Sequence, residues 1–472
     1  MEKYDVVIIG CGMSGLAAGI RLAHFGRNVC IFERHNAPGG LNSFYSIDGR
    51  RFDVGLHAMT NFVRPGVRGT ALGKLLRQLR IGREELDLAE QRRSRVSFSG
   101  VELCFDNDPS LLESEVADRF PAEIDGYRRL VEAIRSHDDT DLGAKEASAR
   151  ETISGFLGDP LLIDMLLCPL MFYGSASEHD MDWTQFVTMA KSIYLEGFCR
   201  PFEGVRLVIR ILLDRYRRAG GHRRMKCGVR RLVTSGGRVQ RLILDSGEEI
   251  EARQVISSIG LPETRALLGE APTMTLKGVP GRLSFVETMS IYREPTENLG
   301  WGEDTVVFFN QGERFHYAAP EDLVDPRSGV ICFPNNFRYG DRVPEEGIFR
   351  VTSLANPQGW MALPEDAYRA AKTEWFDRVQ RSARGFLLAP DRDLSGVTIA
   401  TDMFTPRTIR RFTGHINGAV YGSPDKLRDG RTPWSNLFLC GTDQGFLGIV
   451  GALLSGISMA NLHVLSSGAG AE

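Results

Sequence analysis

The chain has 472 residues, with 57 lysines and arginines against 60 aspartates and glutamates, a net charge of -3, and hydrophobic and charged contents of 42% and 25%. That length exceeds what one hydrophobic core usually fills, so two domains are expected, and the composition is that of a packed globular chain. The charge balance gives no electrostatic footprint for nucleic acid, and the eight cysteines form no Cys-x-x-Cys pair, which leaves zinc and thioredoxin-type chemistry without support.

In chain order, residues 6–9 are a short apolar run suited to a buried parallel strand. Gly10-Cys11-Gly12-Met13-Ser14-Gly15 follows, a Gly-x-Gly-x-x-Gly turn that opens a helix. Gly10 permits the tight turn, Gly12 lets the backbone approach a pyrophosphate, and Gly15 lets the helix pack close to the strand. The helix N-terminus offers free N–H groups and a positive dipole end to phosphates. A second strand ends at Glu33, 18 residues after Gly15, where a carboxylate accepts ribose hydroxyls. The glycine turn alone is a weak signal; strand, turn, helix, strand and acid in this order are a strong one.

A second glycine turn stands at Pro38-Gly39-Gly40-Leu41-Asn42-Ser43, and residues 49–57 read as a short strand ending in Gly55 and His57. Residues 68–90 carry a helical spacing of leucines, residues 95–105 alternate like strands, and residues 111–218 are mostly helical. Within them, residues 161–173 are unusually apolar, which fits a buried helix or one that faces lipid or lines a tunnel. Residues 239–252 read as a β-hairpin around Asp245-Ser246-Gly247, and residues 254–260 as a separate buried strand. Alternating, aromatic-rich residues 280–360 suggest an antiparallel sheet, and residues 365–386 a helix. Residues 436–443 form a strand ending at Gly441, followed by a glycine-rich turn that opens a last helix. No run of about 18 apolar residues is read, so no membrane span is expected, and no signal peptide precedes the first strand, so a cytoplasmic setting is expected.

Nucleotide-fold signals thus recur at the start, near 222–260 and at the end. The fold expected is α/β: a Rossmann-like dinucleotide domain with a β-meander, built from 1–85, 205–265 and 395–472. An interleaved α+β substrate domain is expected from 86–204 and 266–394, with the substrate site between the two.

These blocks together resemble the flavin-containing amine oxidase and phytoene desaturase superfamily, and within it the phytoene desaturases, carotenoid isomerases and retinol saturases. The likeness rests on residues 7–18 with Glu33, on Gly39-Gly40 followed by Phe52-Asp53-Val54-Gly55-Leu56-His57, on Val229 before the hairpin, and on residues 436–443 with 451–456. The resemblance implies FAD bound in extended form. Gly10, Gly12, Met13, Ser14 and Gly15 would cradle the pyrophosphate. Glu33, with Arg34 beside it, would hold the adenosine ribose, and the backbone of Val229 would meet adenine. Gly40, Leu41 and Asn42 would line the phosphate and ribityl side, His57 would stand near the isoalloxazine, and Gly39 and Gly55 would also bind the cofactor. Gly441 and Asp443 would sit by the pyrophosphate or ribityl hydroxyls, with Val450 and Gly451 at the flavin pyrimidine ring. The sequence departs from the desaturase pattern at Gln444-Gly445-Phe446-Leu447-Gly448, where a His-Pro-Gly-Gly-Gly stretch is common, and His57 is closer to the retinol saturase pattern.

The implied activity is hydride exchange between the flavin and a carbon–carbon bond of an apolar isoprenoid or polyene, with His57 and Tyr421 as candidate catalytic residues. His57 fits either a proton role or a flavin-positioning role. Tyr421 fits either the flank of a polyene or the core. An amine oxidase, a redox-neutral polyene isomerase and a non-enzymatic prenyl-binding chaperone are the rival readings. No second dinucleotide turn supports an NAD(P)H domain, and no metal-ligand spacing is present. The expected partner is an apolar small molecule, with peripheral membrane contact as a corollary; the sequence sets no oligomeric state.

Overall fold

The computed structural model describes residues 1–55, 57–98, 100–270 and 278–466, so Leu56 of the Phe52-to-His57 motif lies outside the described residues. Two seven-stranded sheets organise the chain. The first runs Val229–Ser235, Arg238–Leu244, Glu249–Ser257, Glu2–Ile9, Val29–Phe32 and His222–Arg224, with Leu437–Leu439 beside Glu249–Ser257. Its centre is parallel: Ile8 lies opposite Ile31 on one side and Ile256 on the other. Val6 to Ile9 and Val29 to Phe32 are buried on both faces, as a parallel sheet covered on each side requires. One cover is the first helix, Met13–His24, which packs against the last helix, Gly448–Met459; a Cβ at Gly456 would stand 2.1 Å from Ser14 O.

The sequence reading divided residues 239–260 into a hairpin and a separate strand. Glu249–Ser257 is one continuous strand that serves both. Its first half pairs antiparallel with Arg238–Leu244, and its second half runs parallel between Glu2–Ile9 and Leu437–Leu439.

The second sheet runs Thr398–Phe404, Ser284–Tyr292, Gly347–Ala355, Ser328–Cys332, Asp304–Asn310, Arg93–Phe98 and Val101–Phe105. Thr398–Phe404 therefore belongs to this sheet, paired with Ser284–Tyr292 from Glu287–Phe404 to Tyr292–Thr398. Assigning it to the dinucleotide domain from residue 395 is corrected by that pairing. Its alternation is compatible with either sheet, and only the partner strand decides.

The apolar helix Pro160–Gly174 is buried from Leu162 to Phe172 and packs against Phe98 and Phe285 of the second sheet and against Phe315 in the segment after Asp304–Asn310. Of the two readings given it, the buried one holds over the lipid-facing one, and its C-terminal end reaches the cavity described below. A further correction concerns the last helix. Gly448–Leu465 is long and apolar enough to cross a membrane, with a mean hydropathy of 1.6, although 56% of it is buried in the fold.

Candidate functional site

The site grows from the first strand's C-terminal end, where ligands sit in open parallel sheets. Gly10 adopts φ +99, in the range that glycine tolerates. A Cβ at Gly15 would lie 2.3 Å from Gly10 O, so the helix approaches the strand as closely as the missing side chain permits. At Gly12 the opposite holds: a Cβ would meet nothing within 4 Å. That open face lies beside the first turn of a helix that has no side-chain N-cap, so its leading N–H groups are free to bind an anion.

Two cavities flank this turn. The outer one, about 380 Å³, is lined by Glu33, Arg34, Val229, Glu263, Phe412 and Ile416 among others. Arg34 spans it, donating to Val229 O at 2.8 Å and to Asp245 at 3.0 and 3.2 Å. The Glu33 carboxylate accepts from Cys11 N at 2.7 Å and His35 N at 2.8 Å, which ties the strand end to the glycine turn. A ribose hydroxyl would share these oxygens, each of which has a second lone pair.

The inner cavity, about 230 Å³, takes Gly12, Met13, Ser14, Gly39, Gly40, Leu41, Asn42, Gly55, His57, Tyr421 and Gly441 from the sequence candidates. Gly39 bonds back to the first turn through its N–H to Cys11 O at 2.9 Å. Gly55, at φ +68, lies so close to Leu41 that a Cβ would stand 2.4 Å from Leu41 O. An open glycine face between an outer and an inner cavity is the shape that an extended dinucleotide fills, so these residues fit FAD.

Gly15, Asp443, Val450 and Gly451 do not line either cavity. Gly15 acts through packing. Asp443 is spent internally: its oxygens accept from Leu261 N at 2.6 Å and Ser423 N at 2.8 Å, beneath the cleft. Gly448, Ile449 and Ala452 stand at the cavity wall in place of Val450, which is buried, and Gly451, which packs close to the Phe446 backbone. Gln444, at the departure from the desaturase pattern, is buried and accepts from Ser455 Oγ at 2.5 Å; the same Oγ accepts from Gly441 N at 2.6 Å, which pins the Gly441 turn.

The inner cavity also contains groups that the sequence reading missed. Ser258 ends the central strand and donates to Ile9 O at 2.9 Å; its position at a parallel strand's C-terminus was the available signal. His415 lines the wall 3.8 Å from Glu263 Oε1. Glu287 and Thr352 come from the two adjacent strands Ser284–Tyr292 and Gly347–Ala355. Arg350 Nε donates to Glu287 Oε1 at 2.5 Å, in a pair with both side chains below 10% exposure. His57 Nε2 stands 3.0 Å from Thr352 Oγ1 and 3.6 Å from Glu287 Oε2. Burial alone would raise the Glu287 carboxyl, but Arg350 and His57 outweigh it and hold it well below the usual carboxylate range. Burial pushes the His57 imidazolium down, against the pull of Glu287.

Aromatic rings close the rest. Tyr421 packs edge-on to Phe285 at 5.7 Å and donates its hydroxyl to Phe172 O. Tyr173 lies 6.5 Å from the His57 ring. Tyr421 is thus both a cavity-wall residue and a packed one, and burial raises its phenol far above the usual range, so it stays protonated. Among the described residues no group of His, Cys, Asp and Glu is arranged to hold a metal.

A sequence-family model described as flavin containing amine oxidoreductase matches residues 13–462. The chain is 20% identical to prolycopene isomerase 2, chloroplastic, of an Oncidium hybrid cultivar, over 98% of this chain and 84% of the relative. It is 23% identical to the all-trans-retinol 13,14-reductase of Danio rerio, over 98% and 87% of the two chains. An oxidoreductase from Methanosarcina mazei shares the fold with a TM-score of 0.65 at 16% identity, covering 97% of this chain and 100% of that one.

Proposed function

We propose that this chain, which belongs to the flavin-containing amine oxidoreductase family and uses FAD, acts on a carbon–carbon bond of an apolar isoprenoid or polyene. The observation that carries the reading is the lining of the inner cavity. Phe172, Tyr173, Phe285, Val330, Phe404 and Leu447 make it apolar, and its one carboxylate, Glu287, is already matched by Arg350. An apolar chain gains from such a wall at roughly 25 cal/mol per Å² buried. An ammonium would find no unmatched anion among the described lining residues.

FAD supplies hydride exchange at carbon when bound. The protein supplies the rest. The glycine turns and the first helix hold the pyrophosphate, Glu33 and Arg34 hold the adenosine end, and the aromatic wall excludes water from the reacting bond. His57, whose imidazole lines the inner cavity, would hold or receive the proton at the neighbouring carbon. Both directions, desaturation and saturation, use this arrangement. Redox-neutral isomerisation is the second reading, favoured by the likeness to the Oncidium isomerase over nearly the whole chain.

The test is the mass of lipids extracted from a polyprenoid-producing host with and without the chain. A product lighter by pairs of hydrogens indicates desaturation, and one heavier by a pair indicates saturation. Equal mass with shifted retention indicates isomerisation. An unchanged lipid profile, together with peroxide release from an amine, would overturn the reading in favour of an amine oxidase.

A further inference from the structure

The Glu287 carboxylate has two oxygens with separate neighbours. Oε1 takes the Arg350 guanidinium, and Oε2 faces His57 Nε2 at 3.6 Å, beside the Thr352 hydroxyl at 3.0 Å from the same nitrogen. A lone pair on Nε2 would point at a carboxylate oxygen and be repelled by it, whereas an N–H there is attracted to it and donates to Thr352 Oγ1. The other ring nitrogen, Nδ1, makes no hydrogen bond within the described residues, on a ring that lines the inner cavity.

We infer that Glu287 and Thr352 are positioning residues that fix His57 as its Nε2–H tautomer, leaving the Nδ1 lone pair as the proton-accepting atom of the inner cavity. Arg350 has a different part. It keeps the carboxylate ionised in a buried place, so that the tautomer does not depend on a proton that Glu287 itself would take up.

The backbone that carries the ring is held as well. The His57 backbone carbonyl accepts from Arg200 Nη1 at 3.3 Å and from Cys332 Sγ at 3.5 Å. The charged and titratable groups facing His57 are therefore Glu287 and Arg350 from the two adjacent strands, Cys332 from Ser328–Cys332, Arg200 from the short strand Cys199–Pro201 of a separate two-stranded sheet, and Tyr173 from the apolar helix. Glu287 is the only acid among these, so the tautomer preference is assigned to it. The assignment of Nδ1 to substrate chemistry rests on the function proposed above; the tautomer itself does not.

The experiment is a long-range proton–nitrogen spectrum of the flavin-loaded protein labelled at histidine, with the His57 signals assigned by their loss in H57N. The expected result is a protonated Nε2 and a bare, far-downfield Nδ1 near pH 7. In E287Q/R350M, which removes both charges together and leaves no uncompensated ion, the preference for Nε2–H is lost and both tautomers appear. T352V weakens it in the same direction. Once turnover is measurable, E287Q/R350M lowers kcat by about tenfold or more with KM little changed.

A protonated Nδ1 in the unaltered protein overturns the inference, as does an unaltered Nε2–H signature in a folded, yellow E287Q/R350M protein. If that variant fails to bind flavin, the spectrum of the unaltered protein decides alone. A correct tautomer in a protein that converts no isoprenoid leaves this inference standing and removes the substrate reading instead.

Discussion

Gly12 and Gly15 stand three residues apart and meet opposite surroundings. A methyl at Gly15 runs into Gly10 O, while one at Gly12 meets only open cleft. Gly15→Ala is therefore expected to destabilise the apoprotein by about 2 kcal/mol through overpacking. Gly12→Ala leaves the apoprotein within about 0.5 kcal/mol and weakens FAD binding by about tenfold or more, since ~1.4 kcal/mol suffices for that. Urea denaturation of the apoproteins and flavin titration separate the two; equal losses in both variants would contradict the division of roles. Glu263 makes a second case at this scale. Burial pushes its carboxyl from 4.5 up to about 7, and its Oε2 has no hydrogen-bond partner among the described residues. A raised acid pKa means that the folded chain keeps a proton which the unfolded chain has already released. Stability then falls as pH rises from about 4.5 to about 7, and is level above that. Glu263→Gln should match the parent at pH 4 and exceed it at pH 8 by on the order of 3 kcal/mol, measured by denaturation with FAD in excess. The glycine roles were legible because they depend on backbone a few residues away. Glu287 was not, because its partner Arg350 lies 63 positions along the chain, and a lone acid in an apolar run does not say what neutralises it.

The helix Pro160–Gly174 shows what composition reveals about an element and what it hides. Its apolar run announced burial or a lipid face, and the choice turns on one polar residue, Asp164, which is fully buried. Asp164 accepts from Arg150 Nη1 at 2.5 Å, Arg314 Nε at 2.7 Å and Phe315 N at 3.1 Å, which fastens the helix between the segments around Arg150 and Arg314. Asp164→Ala leaves the Phe315 N–H without its acceptor and releases both arginines, at an expected cost of about 2–4 kcal/mol. Because Phe172 and Tyr173 at the same helix's end line the cavity, FAD binding should weaken in step. Unchanged urea midpoints would show that the helix is held by apolar contacts alone. The Thr398–Phe404 strand was misplaced for a related reason: strand pattern reports burial on one face, whereas sheet membership is a tertiary choice between partners that one sequence leaves open.

At the scale of the whole molecule, the inner cavity is made by neither sheet alone. Gly12 and Gly40 come with the first sheet's turns and His57 with the segment after the two-stranded hairpin Phe44–Ile47 and Arg50–Asp53, whereas Phe285, Glu287, Val330 and Thr352 come from strands of the second sheet. The His57 segment is bound across this seam, through Arg200 to its carbonyl and through Thr352 to its ring, and Asp53 nearby accepts from Arg200 Nη2 at 2.7 Å. A cofactor filling the seam stabilises the closed arrangement of both halves by mass action, about 2.7 kcal/mol at a hundredfold excess over its Kd. Hydrogen exchange of the apoprotein and the FAD-loaded protein tests this directly. Amides of Ser284–Tyr292 and Gly347–Ala355 should gain protection of up to about a hundredfold on FAD addition, alongside those of Glu2–Ile9 and Glu249–Ser257. Protection confined to the first sheet would mean that FAD is held by that domain alone and that the seam opens independently of it. Protection on both sides makes the cofactor part of the structure that shapes the substrate site. Losing FAD would then loosen the aromatic wall and the Glu287–His57 contact together, so chemistry and cofactor retention would fail as one.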